Sequence, residues 1–202
     1  ELLLKSGETK IPTSWSSDGR YLLYTVLDPK TKGDLWVLPM EKGAKPMPLL
    51  RREFNEGDGH FSPDMRWIAY VSDESGRNEV YVRDFTPVSR EASLEAGAVW
   101  VVSKGGGRGP RWRGDGKELY YYAADDTVMA VSVATDTTFH AAIPAPLFKG
   151  YVDITAGGFP LSTYPVWDVA SDGKRFFMPA PVAESLPSAF TVILNWTSLL
   201  KK

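Results

Sequence analysis

The stretch that decides the fold is Trp15-Ser16-Ser17-Asp18-Gly19-Arg20-Tyr21-Leu22-Leu23-Tyr24, because the chain repeats its pattern three more times. In each copy an aromatic or apolar residue precedes a short polar segment ending in Asp, a turn residue follows, and an apolar run closes the unit. The other copies are 61–70, 112–121 and the weaker 169–177, and the four Asp residues are 46, 51 and 57 positions apart. Repeats of roughly 40–50 residues are typical of the blades of a β-propeller.

Each copy predicts a tight β-hairpin. The Asp or Ser side chain bonds to the backbone of the turn, and Gly takes the positive φ that closes it. Met65 replaces that Gly in the second copy. The apolar run after each turn is rich in β-branched and aromatic residues, as strands are, and no stretch shows a helical period.

We therefore predict an all-β chain, a β-propeller of four-stranded antiparallel blades with about four blades present. It forms a single domain over 1–202, with blades at 7–50, 51–104, 105–149 and 150–202. Residues 1–6 are predicted to form a strand of a preceding or last blade.

Composition excludes several classes of protein. With 202 residues and 43% hydrophobic content, the chain can bury a core without disulfides. A net charge of −2 argues against a nucleic-acid partner, which requires a basic face. The absence of Cys excludes disulfides, thiol catalysis and Cys-bound zinc. No apolar run approaches 18 residues, so no membrane segment is predicted in this chain.

The repeats resemble the Pro-Asp type, WD-repeat-like propellers of the TolB kind and the propellers associated with peptidases. Over nearly the whole chain they look like the C-terminal propeller of certain bacterial serine/threonine protein kinases. The segments that carry this resemblance are 1–6, 12–24, 34–39, 61–64, 74–77, 79–82, 105–107, 110–113, 115–120 and, at the end of the chain, 194–197 and 200–202. In that family a cytoplasmic kinase is followed by a membrane span and then the propeller. The resemblance therefore implies the extracytoplasmic (periplasmic) part of a membrane-anchored protein.

The same resemblance implies an open part of a larger, six-bladed propeller. An open arc leaves two uncovered blade faces, and exposed apolar patches and free strand edges favour association. We therefore expect self-association through open blade faces. The alternative is a closed four-bladed ring, in which the strand predicted over 1–5 completes the last blade.

No catalytic residues are predicted, and we expect the chain to have no enzymatic activity of its own. It contains no kinase motif, no Gly-x-Ser-x-Gly elbow and no nucleophile–base pair. His60 and His140 lack metal-ligand spacing, and His60 is interpreted as a packing residue. The four repeat Asp residues lie in separate blades and are interpreted as turn caps. Neither a metal nor a cofactor is therefore predicted.

Candidate ligand-binding residues lie in links on the crossover face, the propeller face that carries the connections between blades. Arg51, Arg52 and Phe54 place two cations and an aromatic ring at the inner rim, which suits a peptide, a protein or a small anionic ligand. Tyr151, Phe159 and Tyr164 lie in the stretch 150–165, which has no strand pattern. The alternatives are a solvated charge run for the arginines and local loop packing for the aromatic residues.

Three functions are consistent with these patterns. The first is a sensor propeller that binds a ligand or protein, as the extracytoplasmic C-terminal part of a receptor-like kinase. The second is a TolB-like platform for protein interaction. The third is the regulatory propeller of a prolyl-oligopeptidase-type peptidase.

Overall fold

The computed structural model describes residues 3–86, 97–135, 138–150 and 167–179, together with the backbone of 190–194. Within these residues the chain forms strands and no helix. The strands make four antiparallel sheets that follow one another along the chain. The prediction of an all-β propeller with four blades is confirmed.

The first two sheets each contain four strands in chain order. The first is built from β1 (Thr9–Trp15), β2 (Tyr21–Asp28), β3 (Lys32–Pro39) and β4 (Met47–Leu50). The second is built from β5 (Glu56–Phe61), β6 (Trp67–Ser72), β7 (Glu79–Asp84) and β8 (Val99–Val101).

The third and fourth sheets vary this plan. The third contains β9 (Gly107–Trp112), β10 (Glu118–Ala123), β11 (Thr127–Ala134), β12 (His140–Ala141) and β13 (Ala145–Lys149). Both β12 and β13 pair with β11. The fourth contains β14 (Asp168–Val169), β15 (Arg175–Pro179) and β16 (Phe190–Leu194) in its described part.

The four repeat Asp residues lie in equivalent hairpin turns. In the first turn the Arg20 N–H donates to Asp18 Oδ1 at 3.0 Å, and the Gly19 N–H donates to the Ser16 carbonyl at 2.9 Å. The other three Asp residues accept the same backbone bond, from the N–H groups of Arg66, Lys117 and Lys174. The Asp residues are thus turn caps, as the repeat predicts.

Met65 occupies the left-handed position that glycine holds in the other three turns. Its φ is 61°, beside 73°, 71° and 70° for Gly19, Gly116 and Gly173. This conformation costs a non-glycine residue roughly 1–2 kcal/mol. The Met65 side chain packs against the core between the first two sheets, and this burial offsets the strain.

The hydrophobic core consists of layers between consecutive sheets, so the strands in the middle of the chain bury both faces. Leu119 and Tyr121 of β10 pack toward the second sheet, whereas Tyr120 and Tyr122 pack toward the fourth. Because successive side chains of a strand point to opposite faces, β10 reads as an unbroken apolar run rather than an alternation.

The outer face of the first sheet is also apolar, and the N-terminal segment lies on it. Tyr24, Val26 and Leu38 are buried there, and Leu4 packs against them. Residues 3–6 have no strand assignment, so the described part of the segment does not form the predicted strand. Leu4 contributes side-chain cover to this face without joining a sheet.

The first strand of each of the first three sheets is bent by a β-bulge. The register shifts between Pro12 and Ser14 in β1, between Gly57 and His60 in β5, and before Arg111 in β9. A bulge re-aims the side chains that follow it. In all three strands the re-aimed residue directly precedes the repeat aromatic.

Candidate functional site

One residue from the first strand of each blade occupies the same repeat position, four residues before the repeat Asp. These residues are Ser14, His60, Arg111 and Asp168, and we call them the channel quartet. Their strands β1, β5, β9 and β14 are neighbours in that order. The first strands of propeller blades surround the central channel, so the quartet lies along the channel wall.

Hydrogen bonds join the quartet from blade to blade. Ser14 Oγ accepts the backbone N–H of Phe61 at 3.2 Å, and Arg111 Nη1 lies 2.6 Å from His60 Nε2. Arg111 Nε donates to the carbonyl of Trp167, the residue before Asp168, at 3.2 Å. The described inner strands of all four blades are thus connected through quartet residues or their neighbours.

Asp58 lies buried beside the quartet and balances the charge of Arg111. Its Oδ1 lies 3.3 Å from Arg111 Nη1 and 3.2 Å from His60 Nε2. Burial raises the pKa of Asp58, but the positive charge of the Arg111 guanidinium outweighs it and leaves the pKa below its usual range. Asp58 is therefore a carboxylate, and its charge is matched by Arg111.

His60 is neutral in this arrangement. His60 Nε2 has two neighbours, Arg111 Nη1 at 2.6 Å and Asp58 Oδ1 at 3.2 Å. A guanidinium has no acceptor, so in the shorter contact Arg111 Nη1 donates and His60 Nε2 accepts, and Asp58 Oδ1 accepts from the same Arg111 Nη1 rather than from His60. Burial lowers the pKa of His60, and the positive charge of Arg111 lowers it further. The ring proton then resides on Nδ1, which has no hydrogen-bond partner among the described residues.

A cavity of about 190 Å³ opens at this end of the channel, on the face that carries the tight repeat turns. His60, Arg111 and Asp168 line it together with Trp15 and Trp112. Trp15 is 55% exposed, whereas Trp112 is buried and donates its indole N–H to the His60 carbonyl at 3.1 Å. The cavity therefore combines an exposed aromatic face with charged and hydrogen-bonding groups.

The structure describes three of the predicted binding residues, and it brings Arg52 and Phe54 together while Arg51 pairs elsewhere. Arg52 Nε and Nη1 lie 2.7 Å from Glu56 and Glu74, and its guanidinium lies 5.7 Å from the Phe54 ring centroid. Arg51 lies 3.8 Å from Asp28 and 3.7 Å from Asp34. Both arginines thus have carboxylate partners within the chain. Tyr151, Phe159 and Tyr164 lie outside the described residues.

The channel quartet was missed because its members are unremarkable one by one. His60 was interpreted as a packing residue, and Arg111 and Asp168 precede an aromatic and an apolar residue without any motif. The sequence does contain a signal for the channel quartet. Aligning the four repeats on their Asp residues places Ser, His, Arg and Asp at one position, which is polar in every copy.

The described part of the chain offers neither a metal-binding cluster nor a membrane-spanning helix. It holds no group of three or more His, Asp or Glu residues arranged to bind a metal ion. It also contains no helix long and apolar enough to cross a membrane. The candidate site is thus a cavity of aromatic, charged and imidazole groups.

Comparisons with known proteins identify the fold. No family model matches the sequence, and no curated protein matches it. Among solved structures, TolB from Acinetobacter baumannii superposes with a TM-score of 0.65 over 95% of this chain and 42% of its own, at 15% identity. An oligogalacturonate lyase in complex with manganese gives 0.55, covering 96% and 53% of the two chains at 13% identity.

The periplasmic gluconolactonase PpgL of Pseudomonas aeruginosa gives a TM-score of 0.53 at 20% identity, covering 82% of this chain and 49% of its own. The present chain thus spans about half the length of these three proteins.

These comparisons correct one expectation from the sequence. The absence of known catalytic motifs led to the prediction of a chain with no activity of its own. Both the lyase and the gluconolactonase are enzymes with the same type of fold. A propeller without known catalytic motifs can therefore still be an enzyme, and the prediction of a chain without activity was wrong. What the comparisons show is the fold, a β-propeller similar to that of TolB.

Proposed function

We propose that this chain is a protein-binding propeller that holds a segment of its partner at the mouth of the channel. The observation that carries the proposal is the cavity lined by His60, Arg111 and Asp168 beside the exposed ring of Trp15. Sites of this kind combine apolar surface with a few converging polar groups. The similarity of the fold to TolB supports a propeller that acts by binding.

The parent protein in this proposal is a receptor-like bacterial serine/threonine kinase. The support is the resemblance of segments such as 12–24 and 115–120 to the C-terminal propeller of that family. The propeller is then extracytoplasmic, in the periplasm, and serves as the sensor domain. The predicted crossover-face residues, from Arg51 to Tyr164, remain a second candidate surface for a peptide, a protein or a small anionic ligand.

A second copy of the chain is a further proposed partner. Phe177 on the fourth sheet is 39% exposed, and the chain is about half as long as the propellers that it resembles. Apolar surface on an end blade is the surface that a neighbouring blade covers in a complete propeller. Self-association through such a face would bury this apolar surface.

A peptide-display selection against the purified chain tests the binding proposal. We expect enriched peptides whose binding is lost in Trp15→Ala and in Asp168→Asn. The matched comparison is Arg51→Ala and Phe54→Ala on the crossover face, which should bind the same peptides normally. Peptides that depend on Arg51 and Phe54 instead would move the site to the crossover face. Failure to enrich any peptide contradicts the proposal.

A further inference from the structure

The channel mouth, which is the cavity lined by His60, Arg111 and Asp168, carries a net negative charge after Arg111 is paired with Asp58. Arg111 is matched by Asp58, and His60 is neutral because its Nε2 accepts from Arg111. Asp168 is exposed, and its Oδ1 accepts only the backbone N–H of Val169 at 2.8 Å. No cationic side chain pairs with Asp168 in the described part of the chain. One carboxylate at the cavity therefore lacks a counter-charge.

The aromatic surface beside this carboxylate suits a cation. The indole N–H of Trp15 donates to the Gly19 carbonyl at 3.2 Å, which fixes the ring while its face stays exposed. The face of a Trp ring attracts an ammonium or guanidinium group more strongly than that of any other side chain. Trp15 and Asp168 line one cavity, so one cation can contact both.

The size of the cavity limits what enters it. Its volume of about 190 Å³ lies below the 300–1,000 Å³ that is typical of pockets for drug-sized ligands. A single long side chain fits this space. An apolar side chain would leave Asp168 without a partner, and an acidic one would place a second negative charge beside Asp168.

His60 offers a hydrogen-bond donor for a carbonyl group. Its Nδ1–H has no acceptor among the described residues, and His60 lines the same cavity. A peptide supplies a backbone carbonyl next to its side chain, whereas a free amine does not. A cationic residue within a polypeptide therefore suits both the Asp168 carboxylate and the His60 Nδ1–H donor.

We infer that the channel mouth takes a single Lys or Arg side chain of a partner peptide, paired with Asp168 and stacked on Trp15. This inference rests on the proposed binding function and gives the partner a chemistry. The backbone carbonyl of the inserted residue accepts from His60 Nδ1.

The test uses four blocked pentapeptides, acetyl-Gly-Gly-Xaa-Gly-Gly-amide, with Lys, Arg, norleucine or Glu as Xaa. Binding is followed by NMR through the indole N–H of Trp15 and the ring nitrogens of His60, up to about 10 mM peptide. We expect the Lys and Arg peptides to shift these signals and the other two to leave them unchanged. Equal shifts with norleucine or Glu, or none with Lys and Arg, would overturn the inference.

Variants separate the contacts. Asp168→Asn should weaken Lys-peptide binding about tenfold, as expected for the loss of a charged hydrogen bond, and Trp15→Leu should weaken it several-fold. Glu41→Gln removes the same charge from an exposed position outside the cavity and should change binding less than twofold. Equal effects of Asp168→Asn and Glu41→Gln would show that Asp168 makes no specific contact.

The outcome also distinguishes this inference from the proposed function. If the display selection yields peptides that require Trp15 and Asp168 but contain no Lys or Arg, the binding function stands and the inference fails. If no peptide of any composition is selected, both fail.

Discussion

Arg111 Nη1 lies 2.6 Å from His60 Nε2, and this contact determines which ring nitrogen of the histidine carries the proton. The two residues belong to β9 and β5, so the contact joins neighbouring blades. Asp58 Oδ1, 3.3 Å from Nη1, places the guanidinium between two acceptors. The protonation of the candidate site therefore depends on how the blades are arranged.

Loss of the Arg111 side chain should strongly destabilise the chain. Arg111→Met leaves the Asp58 carboxylate buried without its counter-charge, and we expect the free energy of unfolding to fall by about 3 kcal/mol in urea denaturation. Adding Asp58→Asn should recover part of the loss. Arg20→Met breaks an exposed pair with Asp18 and should change the free energy of unfolding much less, because solvent screens exposed ion pairs. Equal losses in Arg111→Met and Arg20→Met would contradict this account.

Glu56 should make stability fall as pH rises from about 4.5 to 6. Burial raises the pKa of Glu56 from 4.5 to about 6, although Arg52 opposes the shift. Between these values the folded state holds more proton than the unfolded state, so raising the pH favours unfolding. The contribution over this window is about 2 kcal/mol.

The measurement compares wild type with Glu56→Gln in urea denaturation at pH 4.5 and pH 7. Wild type should lose stability relative to this variant as the pH rises. Glu53→Gln, at an exposed position in the same link, serves as the control and should parallel wild type. A gain of wild-type stability relative to Glu56→Gln would show the opposite sign and contradict the burial of this carboxyl.

The position after each repeat Asp should require a residue that tolerates a left-handed backbone conformation, with positive φ. Gly19 has a φ of 73° and nothing within 4 Å of an added Cβ, so Gly19→Ala measures the backbone strain alone. We expect a loss of about 1 kcal/mol by thermal or urea unfolding. Gly7 is equally open but lacks a positive φ, and Gly7→Ala should change stability by a few tenths of a kcal/mol at most. Indistinguishable variants would argue against the turn geometry.

The proposed self-association should be visible by sedimentation at micromolar concentration. We expect a concentration-dependent dimer, which Phe177→Lys shifts toward monomer because the charge enters the apolar end face. Leu3 is also exposed but lies in the segment beside the first sheet, and Leu3→Lys shows whether that sheet takes part. A monomer at all concentrations would refute the proposed association.

The sequence predicts the local structure of this chain better than its site. Turn chemistry around Asp18 and Asp64 is encoded within a few residues, so the hairpins and the strands after them can be predicted. Met65 at a glycine position is tolerated because its side chain reaches the core between two sheets, which a local pattern does not reveal.

The channel quartet depends on contacts between blades. His60 and Arg111 are 51 positions apart, and only the alignment of blades brings them to 2.6 Å. The segment 1–6 was predicted as a strand from its apolar residues, but in its described part, 3–6, the burial of Leu4 against the first sheet satisfies the same pattern without a strand.

The most direct test of the channel site is the protonation of His60, measured by ¹⁵N NMR of the imidazole nitrogens during a pH titration. The chain has only two histidines, so His140→Gln assigns the signals. We predict that His60 is neutral with its proton on Nδ1 and titrates below its ordinary pKa of 6.5. In Arg111→Met this preference should disappear. A His60 that carries its proton on Nε2, or that titrates above 6.5, would contradict the arrangement of Arg111, Asp58 and His60 on which the site rests.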